Sequence, residues 1–202
     1  MIKNTLLPVA EFCQRRSNFI AQMPANSIAL ISAGKEITRS NDTEYPFCQN
    51  KHFYYLTGFN EPDAILVLVK TEQATSAQSI LFSREKDLLQ EIWHGRRVGQ
   101  KQAVIDYQVD SCFSLAEVDE QLLPLIAGKN AVLTCQPELV EFQQQVLGWL
   151  NQVRKLARSG VKAPKSLIDC SELIDEMRLH KSPAELDIMR QVNVISGAAH
   201  QR

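Results

Sequence analysis

Ala64-Ile65-Leu66-Val67-Leu68-Val69 is an unbroken apolar run that ends at Lys70, bounded upstream by the turn-forming segment Gly58-Phe59-Asn60-Glu61-Pro62-Asp63. Strand length without polar alternation describes a strand buried on both faces. It is far short of the roughly 20 residues that a membrane-spanning helix requires. Working outward, Ser27-Ile28-Ala29-Leu30-Ile31-Ser32 repeats the pattern between Asn26 and Gly34, and Ser79-Ile80-Leu81-Phe82 repeats it after a loop around Gln73 to Gln78. The aromatic His52-Phe53-Tyr54-Tyr55-Leu56 reads as a further strand.

Helical spacing takes over elsewhere. Pro8, Glu11-Phe12, Arg15-Arg16 and Phe19-Ile20 describe an amphipathic helix with proline in its first turn, closed by Pro24. Val98 to Tyr107 and Leu115 to Ile126 are expected as helices, Asn130 to Cys135 as a strand after the Gly128 stop, and Glu138 to Leu156 as a long helix carrying Leu139, Phe142, Val146, Leu150 and Val153. Strands interleaved with helices imply an α/β fold, a mixed sheet flanked by helices. Arg158 to Pro164 looks like a boundary, dividing the chain into a domain over 1–164 and a connecting segment over 165–202. Within that segment Ser171 to Leu179 is a helix. Ser182-Pro183-Ala184-Glu185 then combines an N-cap serine, a first-turn proline and a capping-box glutamate. The helix so started carries Leu186, Met189, Val192 and Ile195 and reaches Arg202 without a stop signal. Its apolar stripe has little left to pack against: either the helix projects, or a further domain follows, and we expect the second.

Composition excludes several function classes. The 202 residues hold 22 Lys+Arg against 23 Asp+Glu, a net charge of -1, which is unlike a protein that binds nucleic acid by neutralising phosphates. Leu6-Leu7 is cut by Pro8, leaving no signal-peptide core, and nothing suggests membrane binding. Five widely spread cysteines without a C-x-x-C pair point to reduced thiols and a cytoplasmic setting. His52, His94, His180 and His200 fall at no zinc-ligand spacing.

Two polar clusters remain. Arg39-Ser40-Asn41-Asp42-Thr43-Glu44-Tyr45-Pro46-Phe47 gathers two carboxylates, an arginine and a tyrosine, either as a polar site or as a surface loop whose charges pair locally. Glu91-Ile92-Trp93-His94-Gly95-Arg96-Arg97 sets an indole beside a glycine, in what reads as a loop: an exposed anchor for a partner, or a core tryptophan next to a solvated arginine pair. No nucleophile elbow or phosphate-binding glycine loop is present.

These clusters, together with Gln49-Asn50, Phe53 to Ala64, Val98-Gly99 and the closing Glu176-Met177-Arg178-Leu179-His180-Lys181-Ser182-Pro183-Ala184-Glu185, resemble in order the N-terminal domain of the bacterial aminopeptidase P family. The resemblance implies a creatinase-like N-terminal domain over 1–164 ahead of a separate "pita-bread" catalytic domain, whose truncated start is expected within the connecting segment over 165–202. It implies a parent Xaa-Pro aminopeptidase, a hydrolase that releases the residue preceding proline from peptides with a two-metal, usually manganese, site. The family's ligands, two Asp, one His and two Glu, lie in the catalytic domain, so this chain is expected to hold no metal and no catalytic residue. What it is expected to supply is assembly, as a homotetramer or dimer, and the rim of a neighbouring subunit's site. Trp93 of the E-I-W-x-G-R-R motif would offer a flat apolar wall, Asp42 of the R-S-x-D-[ST]-E-Y motif would hold a substrate ammonium, and Arg158 matches a family arginine near the site entrance. His94, Cys48 and His180 depart from the residues usual at their positions. Two alternatives stay open: a non-catalytic, chaperone-like binding protein of the same fold, and a prolidase-type dipeptidase.

Overall fold

The computed structural model describes residues 6–73, 77–135 and 140–201. Leu139, expected on the apolar face of the long helix, and Arg202 lie outside them. In chain order the elements are α1 (Val9–Gln22), β1 (Ser27–Ser32), β2 (Thr38–Ser40), β3 (Thr43–Glu44), α2 (Lys51–Thr57), β4 (Ile65–Lys70), β5 (Ala77–Ser83), α3 (Leu88–His94), α4 (Gln100–Tyr107), β6 (Ser111–Ser114), α5 (Val118–Ile126), β7 (Ala131–Thr134), α6 (Val140–Lys155), β8 (Ser166–Asp169), α7 (Ser171–Leu179) and α8 (Pro183–His200). Six strands form one sheet in the order β6-β5-β4-β1-β7-β8; β4 is antiparallel to β1 and β5, and the other pairs are parallel. The sheet is mixed, as expected.

Both faces of the sheet are covered, and strand alternation divides the core into two layers. Ala29, Ile31, Leu66, Leu68, Leu81 and Leu133 face Phe19, Phe53, Leu56, Tyr107 and Ile174 from α1, α2, α4 and α7. Ile28, Leu30, Val67, Phe82 and Val132 face Leu122 and Ile126 of α5 and Phe142, Val146 and Trp149 of α6. Each fully buried side chain of this size stabilises the fold by about 2 kcal/mol.

The structure corrects one element. His52 to Leu56 is not a strand but the body of α2. The Asn50 side chain accepts the backbone N–H groups of His52 and Phe53 at 2.9 and 3.2 Å, and Gly58 ends the helix at φ 67°. Those caps, with His52, Phe53, Leu56 and Thr57 buried at helical spacing, override the β-propensity of the aromatic run. The sequence pattern also gives no sign of β2, β3, α3, β6 or β8. β8 lies beyond residue 164 and pairs with β7, so residues 166–169 add an edge strand to the sheet.

Two buried cations fasten α1. Arg16 is 3% exposed; its Nη1 donates to Leu56 O at 3.1 Å, and its Nη2 to Tyr107 O at 2.9 Å and Gln108 O at 2.8 Å. It thus closes the C-terminal ends of both α2 and α4. Burial lowers its pKa, the cost of desolvating the guanidinium. Arg15 lies over the Tyr55 ring, 4.2 Å from its centroid, and pairs with Glu185 at 3.1 Å. Glu185 also closes the capping box of α8, accepting the Ser182 N–H at 2.9 Å while the Ser182 hydroxyl accepts the Glu185 N–H at 3.2 Å. Beyond that start α8 leaves the domain, and Met189, Val192, Val194 and Ile195 are exposed. α7 is tied down by the Tyr55 hydroxyl, which donates to Met177 O at 2.9 Å, and by His52 Nε2, 3.0 Å from Asp175 Oδ1.

Arg16→Met is expected to lower stability by roughly 2–4 kcal/mol, read as a shifted urea midpoint, because it leaves helix-end carbonyls buried without donors. His52 is pushed up to about 9 by the neighbouring Cys135 thiol and then, against burial, by Asp175. Because its folded pKa is raised, its contribution is complete below its ordinary 6.5 and is lost as pH rises through about 9. Urea titrations should therefore show His52→Gln destabilised by on the order of 1 kcal/mol near neutral pH, after allowance for screening at the exposed Asp175, with the gap to wild type closing in alkaline buffer.

Candidate functional site

The end of the sheet where β1, β5, β6, β7 and β8 finish and β4 begins carries both polar clusters. Chain leaves β1 at Gly34, where a Cβ would come within 3.0 Å of Cys48 O, so only glycine allows the two backbones to approach this closely. Gln49 fixes that approach. Its Oε1 accepts the N–H groups of Gly34 at 2.6 Å and Asn50 at 2.8 Å, while its Nε2 donates to Phe59 O at 3.2 Å and Glu61 O at 2.9 Å. One side chain thereby joins the exit of β1, the start of α2 and the Gly58–Asp63 turn. Between Gly34 and Gln49 the chain forms the β2–β3 hairpin, pairing Thr38 with Glu44 and Ser40 with Thr43. Asp42 sits in its two-residue turn and is exposed. Arg39 lies 5.9 Å from the centroid of the Tyr45 ring, so the hairpin is partly braced by its own side chains.

The second cluster stands at the same end, after β5. Arg84 anchors its start: Nη2 donates to Glu36 Oε2 at 2.7 Å and Nε to Asp63 Oδ2 at 3.0 Å, bridging the segments that follow β1, precede β4 and leave β5. Asp87 caps α3 by accepting the N–H groups of Leu89 at 2.9 Å and Gln90 at 3.3 Å, and Gly95 turns the chain out of it at φ 83°. The expected loop is thus a short helix. None of its residues is buried; Leu88, Leu89 and Ile92 are exposed, and Trp93 is 83% exposed. Trp93 is therefore no core tryptophan.

The return from α3 is pinned from below. Glu61 Oε1 accepts the Val98 N–H at 2.6 Å, Glu91 Oε1 accepts the Arg97 N–H at 3.1 Å, and Arg97 Nη1 donates to Glu85 O at 2.8 Å. Burial raises the Glu61 pKa, opposed by the Val98 hydrogen bond and by Arg97 and Arg84. Glu61 reads in the sequence only as part of a turn, because its partner Val98 lies 37 residues away.

Arg158 is elsewhere. α6 starts beside the exit of β1, where Glu141 pairs with Lys35, and runs back to the opposite end of the sheet. There Gly128 N donates to Lys162 O at 2.8 Å and Lys165 N to Asn130 O at 3.0 Å, and Arg158 lies just before this crossing on an exposed turn, Leu156–Ser159. Among the described residues no hydrogen bond, ion pair or ring contact joins Asp42, Trp93 and Arg158. A groove of about 280 Å³ opens beside Lys35, Asp63, Leu115, Glu141 and Phe142, and none of the three lines it. Nor do the described residues include any cluster of three or more His, Cys, Asp or Glu placed to hold a metal ion. No helix among them is long and apolar enough to cross a membrane.

Glu61→Ala is expected to free the Val98 amide. Hydrogen exchange should accelerate through residues 95–99 by roughly tenfold or more, while Glu61→Gln, which keeps the acceptor oxygen, should stay near wild type.

Comparison with known proteins gives this surface a lineage. The family model for the aminopeptidase P N-terminal domain matches residues 12–133. The Xaa-Pro aminopeptidase of Escherichia coli K12 is 43% identical over 192 residues, covering 95% of this chain and 43% of that protein. That of Haemophilus influenzae is 38% identical over 194 residues, covering 96% and 42%. The low-pH structure of E. coli aminopeptidase P superposes with a TM-score of 0.93 at 42% identity, over 97% of this chain and 44% of that one, and a zinc-substituted form with bound product matches equally well. The chain spans less than half the length of these relatives. Matched in sequence over most of its length, and in fold from α1 into α8, the chain belongs to the aminopeptidase P N-terminal domain family.

Proposed function

We propose that this sequence is the N-terminal part of a metal-dependent Xaa-Pro aminopeptidase that releases the residue preceding proline, and that its work within that enzyme is assembly and substrate access. The observation that carries this reading is Trp93, 83% exposed on a capped helix whose other large apolar residues, Leu88, Leu89 and Ile92, are exposed beside it. An apolar cluster held this firmly out in solvent is built to be covered by a neighbour. Asp42 stands at the same end of the sheet, so one face can present an apolar wall and a carboxylate to a peptide bound in an adjoining subunit. Arg158, at the opposite end, would serve a different neighbour, which suits a homotetramer in which each domain touches more than one partner.

The paired manganese ions and their Asp, Asp, His, Glu and Glu ligands belong, in this reading, to sequence beyond this chain. When bound, such a pair activates water and polarises the scissile carbonyl. The residues described here would exclude water and orient the substrate. Free thiols at all five cysteines suit a cytoplasmic setting.

Kinetics on the complete gene product test the proposal. Trp93→Ala should lower kcat/KM for an Xaa-Pro peptide roughly tenfold or more, or dissociate the oligomer seen by light scattering. The 202-residue chain alone, with added manganese, should release no amino acid. Unchanged kinetics with an unchanged oligomer would exclude the in-trans role, and metal-dependent turnover by the short chain would exclude the division of labour.

A further inference from the structure

At the same end of the sheet but toward its β7–β8 edge, four chemistry-bearing side chains meet. Cys135 follows β7, Cys170 follows β8, His52 arrives from α2 and Asp175 from α7. The parallel ladder pairs Thr134 with Asp169, so the next positions in register are the two cysteines, and Cys170 N donates to Thr134 O at 3.1 Å. Neighbouring strands are about 4.8 Å apart, within the Cα separation that a disulfide spans. Here the two Sγ atoms are 3.6 Å apart and both thiols are free. Exposure distinguishes them: Cys135 is partly exposed, while Cys170 is 1% exposed directly behind it.

We propose that Cys135 and Cys170 form a reversible thiol–disulfide couple, a modification site in which Cys135 meets a low-molecular-weight disulfide and Cys170 resolves the adduct. Cys135 loses its proton to a solvent base, and its thiolate attacks one sulfur of the external disulfide, which breaks and releases one thiolate. Cys170, deprotonated in turn, attacks the Cys135 sulfur and expels the second. The balance is two protein thiols and one external disulfide giving one protein disulfide and two external thiols; the protein loses two electrons and the external disulfide gains them. The hydrogen bond with Cys170 and burial hold the Cys135 thiol well above its ordinary range, partly offset by His52, so the thiolate is scarce at neutral pH and the exchange runs faster as pH rises. Oxidation closes a covalent loop around α6 and β8 at the base of α7. Ile174, fully buried, sits one turn into that helix, and α8 follows it, so the bridge would fix the platform from which α8 departs.

The test is incubation of the purified chain with oxidised glutathione in mildly alkaline buffer, followed by alkylation and peptide mapping by mass spectrometry. Two of the five cysteines should become protected, in a Cys135–Cys170 linked peptide lighter by two hydrogens. The Tm should rise by roughly 5–10 °C and return on adding dithiothreitol. Cys170→Ala should halt at a glutathione adduct on Cys135, and Cys135→Ser should form neither adduct nor bridge. The proposal is overturned if all five thiols of the wild type remain open to alkylation, if the bridge maps to other cysteines, or if the wild type stops at the same Cys135 adduct as Cys170→Ala.

Discussion

Arg16 is the constraint on which the rest of the domain depends. Its guanidinium is buried among backbone oxygens at the ends of α2 and α4, where helix dipoles concentrate negative potential. Desolvating an arginine is costly, and what offsets the cost here is that several carbonyls with no helical partner of their own receive a charged donor at once. The consequence is positional. α2 leads into the turn that Gln49 and Glu61 organise, and α4 receives the chain returning from α3, so one cation sets where both polar clusters are mounted.

From that mounting the surface acquires its character. Gln49, Arg84 and Glu61 lie beneath the exposed residues and take up the hydrogen-bonding capacity of the loops, leaving Asp42 and Trp93 outside with no internal partner among the described residues. A rigid underlayer with unsatisfied outer side chains suits recognition by a second molecule, because little conformational freedom is lost when that molecule docks.

Much of the fold could be read along the chain, for an identifiable reason. β1, β4 and β5 lie in the middle of a sheet covered on both faces, so their sequences are continuous apolar runs that little else resembles. β6 and β8 are four-residue edge strands without that signature, and α3 is a seven-residue helix with no buried face, so neither period nor composition marks them. α2 was misread because its aromatic residues satisfy a strand's composition while Asn50 and Gly58 carry the helical information. Of the proposed site, Asp42 and Trp93 stand out as motif residues, but the placement of Arg158 at the far end depends on the return path of α6, which no local pattern records. Glu61 and Arg84 act through contacts distant in sequence, and only the folded chain brings those partners together.

The pairing of Arg15 with Glu185 has a temporal consequence. α8 acquires its fixed starting point from α1, an element made long before it. During synthesis the cation and the Tyr55 ring are made first, and the direction in which the chain departs can be settled only when Glu185 emerges. Contacts so far apart in sequence form slowly compared with local ones. The start of α8 is thereby fixed by a contact that spans most of the chain, so its direction depends on the folded domain and not on the local sequence of the helix.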